Sequence, residues 1–303
     1  MNKLTYLKPG DLIQIVAPAK AIEESHVVYA RNFFEQQGYK VVLGAHCTGQ
    51  HNYFSGTDEQ RTEDFQKAID NPEVKAIICA RGGYGVVRIV DRIQWANQLR
   101  NPKWIVGFSD ITVFHQQLQK FEQKSIHATM PLNYRENSPE SLATLLQALE
   151  GKLSGIEIPG NSLNKKGTTE GELIGGNLSI VYSLLGTDIQ PDYKGKVLFL
   201  EDVGEQLYAI DRMFFSLKKA GVLDAISGLI IGGMTDLKDT TATTIGMTLE
   251  EIVLQHFQYR NIPICFDFPA GHVNDNRALI LGEMVQFEVN SSVKLTFCGE
   301  VNE

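Results

Sequence analysis

The residues of this chain that could do chemistry gather at the ends of short apolar runs, and the first of them is a serine. In Trp104-Ile105-Val106-Gly107-Phe108-Ser109-Asp110-Ile111-Thr112 an apolar run stops at Gly, Ser and Asp. A helical pattern then begins, with Ile111, Phe114, Leu118 and Phe121 on one face. A serine between a strand end and a helix start is held on a tight turn, its hydroxyl presented beside helix amides. That is the logic of a nucleophile elbow, although Gly-Phe-Ser-Asp is not the hydrolase pattern G-x-S-x-G. The competing structural reading is strong, because Ser and Asp are also ordinary helix N-caps. The local sequence leaves both open.

A serine nucleophile needs a base within hydrogen-bond reach and a third group to orient that base. Of the seven histidines, His272 lies in Phe268-Pro269-Ala270-Gly271-His272-Val273-Asn274. Pro and Gly make a loop there after the strand-like Ile264-Cys265-Phe266, where a side chain can be presented at a sheet edge. His127, in Ser125-Ile126-His127-Ala128-Thr129, is the rival, since it shares a half of the chain with the serine. His26, His115 and His256 fall in helical patterns and read as surface or packing residues, while His46 and His51 flank a polar loop. For the third group, Leu198-Phe199-Leu200-Glu201-Asp202-Val203 places two carboxylates at the end of an apolar strand. Open α/β sheets collect their functional groups at such ends. One of Asp202 and Glu205 is expected to start the helix that runs from Tyr208 to Gly221.

Two glycine turns complete the set. Arg81-Gly82-Gly83-Tyr84-Gly85 follows an apolar run and precedes a helical one, so its amides can receive a phosphate or an oxyanion. It does not fit the dinucleotide fingerprint G-x-G-x-x-G. Gly175-Gly176-Asn177 opens a helix from Leu178 to Leu185, and close backbone packing accounts for it as well as a site does. No H-E-x-x-H, histidine cluster or calcium loop is present, so neither a metal nor a cofactor is expected.

These residues need a scaffold, and the first half alternates strand and helix. Leu12–Val16, Lys40–Leu43, Val74–Cys79 and the Trp104 run read as strands, the third nearly continuous in apolar residues, as suits a buried parallel strand. Between them lie helical stretches: one capped by Ser25 and ended by Gly38, one from Glu63 to Ile69, and one from the glycine cluster through Ile93. A last helix starts at Ser138-Pro139. Residues 156–170 are rich in Gly, Ser, Asn, Lys and Thr and read as a linker. The second half has buried strands at Val197–Leu200 and Leu229–Ile231, a capping box at Thr248 and Glu251, and a β-rich end at Ala278–Leu281, Met284–Val289 and Val293–Phe297. The expected architecture is α/β: an N-terminal parallel sheet flanked by helices over 1–155 and a C-terminal β-rich α/β domain over 171–303, with the active site between them.

Bulk properties narrow the partners. At 303 residues the chain has room for two ordinary domains, and 43% hydrophobic against 21% charged residues is a soluble globular balance. A net charge of -8 argues against a phosphate-tracking surface and so against nucleic acid. The apolar Leu12–Ala17 run is too short for a signal core or a membrane span. The four cysteines are far apart and form no C-x-x-C pair, and Cys79 and Cys298 are expected to be buried thiols. The compartment reads as cytoplasm.

Taken together, the chain resembles the LD-carboxypeptidase family of serine peptidases, which includes the microcin-immunity peptidases. The resemblance runs through Leu7-Lys8-Pro9-Gly10-Asp11, Ala17-Pro18, Phe54-Ser55-Gly56-Thr57-Asp58, Arg61, Arg81-Gly82-Gly83-Tyr84-Gly85, Gly107-Phe108-Ser109-Asp110, Gly175-Gly176-Asn177-Leu178, Leu200-Glu201-Asp202, Tyr208, Asp211-Arg212 and Gly271-His272. It implies Ser109 as nucleophile, His272 as general base and Glu201 as its orienting group, which decides between the two histidines. It further implies an oxyanion hole from the Asp110 amide and a Gly82 or Gly83 amide. Arg81, Tyr84, Asn177 and Arg212 become substrate-binding candidates, with the two arginines suited to a terminal carboxylate. Such proteins often carry His-Gly-Pro where this chain has His127-Ala128-Thr129-Met130-Pro131, which makes His127 a pocket residue. The implied substrate is a cytoplasmic murein tetrapeptide that loses its terminal D-alanine, and the implied assembly is a homodimer. An immunity-type enzyme acting on an aminoacyl- or peptidyl-adenylate analogue would need aromatic surface to stack a base. Both tryptophans, Trp95 and Trp104, lie in the first half, which favours the murein reading. A non-catalytic anion-binding module is the alternative of another class.

Overall fold

A computed structural model describes residues 4–240 and 243–299 of the chain. The first half runs β1 (Leu12–Val16), α1 (Glu24–Gln36), β2 (Lys40–Leu43), α2 (Asp58–Asp70), β3 (Val74–Cys79), α3 (Ala96–Arg100), β4 (Trp104–Gly107), α4 (Thr112–Lys120), β5 (Ser125–His127) and α5 (Pro139–Glu150). The second half runs β6 (Gly155–Pro159), β7 (Gly167–Asn177), α6 (Leu178–Ser183), β8 (Val197–Val203), α7 (Leu207–Lys219), α8 (Val222–Ala225), β9 (Gly228–Thr235), α9 (Leu249–Leu254), β10 (Ile264–Cys265), β11 (Leu279–Leu281), β12 (Met284–Val289) and β13 (Ser292–Phe297).

The first sheet has the order β11-β5-β4-β3-β1-β2. Strands β1 to β5 are mutually parallel, in the doubly wound order whose chain reversal falls between β1 and β3. The second sheet has the order β10-β9-β8-β7-β12-β13-β6, with β7 to β10 parallel and the β12-β13-β6 side antiparallel. The α/β architecture of two sheets with flanking helices is therefore as the sequence indicates.

One buried core joins the two sheets: Ile13, Ile15, Ile78 and Val106 of the first share it with Leu173, Val197, Phe199 and Val285 of the second. The outer faces are closed separately. Residues of α2 and α4 cover the first sheet, and α6, α7 and α9 cover the parallel part of the second. Alternation sorts β8 between these layers, with Val197 and Phe199 facing the shared core and Leu198 and Leu200 facing the helices. The relation between the halves is thus fixed by packing.

Several local expectations are corrected. Glu23 precedes the first turn of α1 without a side-chain cap, so Ser25 lies inside the helix. The stretch after the glycine cluster is two 3-10 turns, Val86–Arg88 and Val90–Arg92, rather than one helix. Most of 156–170 is strand: Ile156 is buried where β6 pairs with β13, and β7 begins at Gly167. Glycine and serine dilute that pattern enough to hide it. Strand β11 crosses back to pair antiparallel with β5 in the first sheet. Cys79 is buried as expected, but Cys298 is exposed because it lies just past β13. The caps at Ser138 and Thr248 form as read.

Candidate active site

The carboxyl ends of β1, β3 and β4 bring three loops together: Ala17–Lys20, Ala80–Gly85 and Phe108–Asp110. Ser109 has φ 62, a left-handed conformation that is costly for a non-glycine residue and is characteristic of functional turns. It opens a 3-10 turn whose N-cap position belongs to Phe108, and no side-chain cap is made. The helix-cap account of Ser109 therefore fails. Its φ is that of a strained elbow.

The glycine turn approaches this elbow closely. A Cβ on Gly82 would lie 2.9 Å from Ser109 Cβ, 3.0 Å from its Oγ and 3.2 Å from the Asp110 amide nitrogen. Only glycine permits that approach. Two buried groups hold the turn in place. Asp110 accepts a 2.9 Å hydrogen bond from the Val86 amide through its carboxylate. Arg61, itself buried, donates to the carbonyls of Pro18 (2.5 Å) and Gly85 (2.9 Å) and is paired with Asp58. Burial pushes the Asp110 pKa up to about 6, against the opposing pull of the Val86 amide and the Arg61 charge.

His115 was read as a surface or packing residue, and it is a buried fastener of the elbow. Its Nε2 lies 2.8 Å from the Gly107 carbonyl and its Nδ1 2.8 Å from Ser125 Oγ. A carbonyl only accepts, so Nε2 carries the proton and Ser125 donates to Nδ1. Burial lowers its pKa to about 4, which keeps this neutral tautomer in place. The other candidate, His127, is fully buried against Phe108 and Phe199, with ring centroids 5.8 and 4.8 Å away. Burial drives its pKa far down, helped by His115 and His272. Neither of its ring nitrogens has a hydrogen-bond partner among the described residues. It is a core residue, not an accessible base.

The second sheet supplies the remaining groups. Glu201 shares the parity of Val197 and Phe199, so its side chain enters the space between the sheets and is fully buried. Opposite it the β8–β9 register shifts, Leu200 pairing with Ile231 and Asp202 with Met234. The bulge at Gly232 and Gly233 admits the His272 loop, since Gly233 bridges to Gly271. Gly271 has φ +110, and a Cβ there would lie 2.6 Å from Glu201 Cβ. Glu201 Oε2 accepts from His272 Nδ1 at 2.7 Å and from its backbone amide at 3.2 Å, while Asn177 Nδ2 donates to Oε1 at 3.4 Å.

The ring of His272 lies 4.8 Å from that of Phe108, which brings the imidazole beside the elbow. Burial works to lower its pKa, but the hydrogen bond and charge of Glu201, with Asp202 behind it, prevail and hold it above the ordinary 6.5. With Nδ1 donating to Glu201, Nε2 is left as the basic nitrogen. Asp202 faces the other side of β8. It accepts from the Ser179 amide (2.8 Å), Ser179 Oγ (2.7 Å) and Asn177 Nδ2 (3.0 Å), and so anchors the start of α6. Neither Asp202 nor Glu205 starts α7, whose N-cap is Gln206 with no side-chain bond.

The remaining candidates separate. Asn177 caps α6 through Ile180 N and holds both carboxylates, while its own amide donates to Thr112 Oγ1 at 3.0 Å. It ties the helix after Ser109 to the strand before α6. Arg81 is half-buried and donates to the Ala21 carbonyl at 2.9 Å. Tyr84 is exposed beside Phe54, ring centroids 6.0 Å apart. Arg212 is exposed on α7 with its guanidinium over the Tyr208 ring. Lys20, which carries no motif, sits directly on the glycine turn. Among the described residues no group of three or more His, Cys, Asp or Glu is placed to hold a metal ion, and no helix is long and apolar enough to cross a membrane.

Comparison with known proteins finds relatives along most of the chain. Residues 13–128 match the LD-carboxypeptidase N-terminal domain, and residues 170–287 match the LD-carboxypeptidase C-terminal domain. The murein tetrapeptide carboxypeptidase of Pseudomonas aeruginosa is 31% identical over 92% of this chain and 93% of its own. The microcin C7 self-immunity protein MccF of Escherichia coli is 25% identical over 92% of this chain and 90% of its own. The crystal structure of muramoyltetrapeptide carboxypeptidase from Oxalobacter formigenes superposes with a TM-score of 0.86 at 26% identity, covering 96% of this chain and 100% of that one.

The buried Asp110 carboxylate yields a stability test. Its folded pKa of about 6 exceeds the ordinary 3.8, so the stability tied to its protonated form is complete below 3.8 and lost as pH rises through about 6. Asp110→Asn keeps an acceptor for Val86 and removes the charge. Chemical denaturation is expected to show the variant more stable than the wild type at pH 7.5, by roughly 1–3 kcal/mol, with the gain vanishing near pH 4. A loss of stability at pH 7.5 would contradict the assignment.

Proposed function

This chain belongs to the LD-carboxypeptidase family, and from that premise we propose that it hydrolyses the LD peptide bond to the terminal D-alanine of cytoplasmic murein tetrapeptides during wall recycling. The observation that carries the proposal is the 2.7 Å contact of buried Glu201 with His272, whose ring is packed on the residue preceding the strained Ser109.

In this reading Ser109 Oγ attacks the carbonyl of the L-centre while His272 Nε2 accepts the serine proton. Glu201 holds the imidazole in the Nδ1–H tautomer and stabilises its cation. The oxyanion is received by the Asp110 amide and a Gly82 or Gly83 amide, a role supported by the close approach of Gly82 to both Ser109 and the Asp110 nitrogen. His272 then protonates the departing amine of D-alanine. Water, deprotonated by His272, cleaves the acyl-enzyme and regenerates the serine. The assembly proposed with this reading is a homodimer.

The immunity-type alternative requires a base-stacking surface, and neither tryptophan offers one. Trp104 is buried and stacked on Tyr6, and Trp95 packs edge-on to Phe65 and Phe114. The exposed aromatics near the glycine turn are tyrosines, Tyr53 and Tyr84, and the tryptophans lend the adenylate reading no support.

Mass spectrometry of a murein tetrapeptide incubated with the protein is expected to show release of one terminal D-alanine and no internal cleavage. Ser109→Ala should keep the circular dichroism of the wild type and lose roughly 10⁴-fold or more in rate. Cleavage surviving in Ser109→Ala would remove the proposed nucleophile.

The pH profile tests the Glu201 role separately. The base must be neutral, so the acid limb of kcat/KM is expected above pH 6.5. Glu201→Gln removes the larger causes that raise the His272 pKa and leaves burial and the smaller pull of Asp202, so the limb should move to lower pH while kcat falls on the order of 10³- to 10⁴-fold. A limb unmoved by the substitution would sink the assignment.

A further inference from the structure

A carboxypeptidase must recognise the free carboxylate of its substrate, and we infer that Lys20 is the cation that receives it. The inference rests on the functional reading above and names a residue to which that reading gave no role. In a peptide ending in D-alanine the carboxylate carbon lies about 3–4 Å from the scissile carbonyl carbon. Its cationic partner therefore belongs within one side-chain length of the attacking serine, on the leaving-group side of the oxyanion turn.

Lys20 lies on the turn that approaches the serine. Its backbone amide donates to the Gly82 carbonyl at 3.4 Å, and Gly82 is the residue pressed against Ser109. Its stem lies along the same turn: a Cβ on Gly83 would be 2.9 Å from Lys20 Cβ and 3.4 Å from its Cδ. The ammonium is held over the Tyr53 ring, 4.9 Å from the centroid, and the Tyr53 hydroxyl lies 2.9 Å from the same Gly83 position. A cation seated on an aromatic face is partly desolvated and positioned, yet keeps its hydrogen-bond donors for an anion.

Two of the other cations around the turn are paired with a carboxylate, and the third, Arg81, gives one N–H to a carbonyl. Arg61 is buried on Asp58 and two carbonyls, Arg88 is paired with Asp58 at 2.8 Å, and Arg81 donates to the Ala21 carbonyl. Lys20 pairs with no carboxylate among the described residues. In a chain of net charge -8, an ammonium on the glycine turn that packs against Ser109 gives an anionic substrate a local attraction that the molecule as a whole does not. Of the two arginines expected for this task, Arg212 lies on α7 over the Tyr208 ring and Arg81 gives one N–H to the Ala21 carbonyl, whereas Lys20 lies along the glycine turn itself.

The test compares two substrates, a tetrapeptide with a free C-terminal carboxylate and the same tetrapeptide amidated. Wild-type protein should prefer the acid by roughly 10- to 100-fold in kcat/KM, the range for a charged hydrogen bond. Lys20→Met, which keeps the stem over the turn, should lose most of that preference, chiefly through KM on the acid, with the amide cleaved within about 3-fold of wild type. Lys20→Arg should restore part of it. A Lys20→Met variant that retains the full preference, or that loses activity equally on both substrates, would overturn the proposal. Wild-type protein that cleaves neither peptide would instead overturn the functional reading on which it rests.

Discussion

A carboxylate with no solvent exposure, Glu201, is the constraint on which the rest of the site depends. A buried charge is tolerated only when its oxygens are satisfied, and removing one partner of such a pair typically costs about 3–5 kcal/mol. Here the partners come from two directions: the His272 ring and backbone amide on one oxygen, and the Asn177 side chain on the other. That requirement explains the bulge at Gly232 and Gly233, the positive φ of Gly271, and the seating of Asn177 at the end of β7. Each lets a donor approach a charge that water does not reach.

The other half of the site depends on strain. Ser109 holds a left-handed conformation because its neighbours leave no alternative: His115 fixes the Gly107 carbonyl, Asp110 fixes Val86, and Arg61 ties the β1 loop to the glycine turn. The two halves meet through direct contacts. Thr112 accepts the Asn177 amide, Tyr193 donates to Gln116, and a common core runs between the sheets. The pairing of residues from opposite halves is therefore a packed feature of the fold.

Much of this was legible from local pattern. Apolar runs marked the strands, Ser138-Pro139 and Thr248 with Glu251 marked helix starts, and the α/β alternation indicated parallel sheets. What was not legible depended on contacts remote in sequence. Ala278–Leu281 reads as a strand, but nothing in it says that Leu279 pairs with His127 across the molecule. Glu201 and Asp202 are both acidic and adjacent. Their parity relative to Val197 and Phe199 was available as a signal separating the one that enters the space between the sheets from the one that anchors α6. His127 lay near the serine in sequence and proved sealed in the core, whereas Lys20 carried no motif and became visible only through its contact with Gly82.

We propose that buried Glu201 fixes His272 as an Nδ1–H imidazole whose Nε2 is the base. Nitrogen-15 NMR of labelled histidine, followed through a pH titration, measures that tautomer and its pKa directly. The account requires the Nδ1–H form for the neutral His272 ring and a pKa above the ordinary 6.5, with both features lost in Glu201→Gln. An Nε2–H tautomer, or a pKa at or below 6.5 in the wild type, would contradict it.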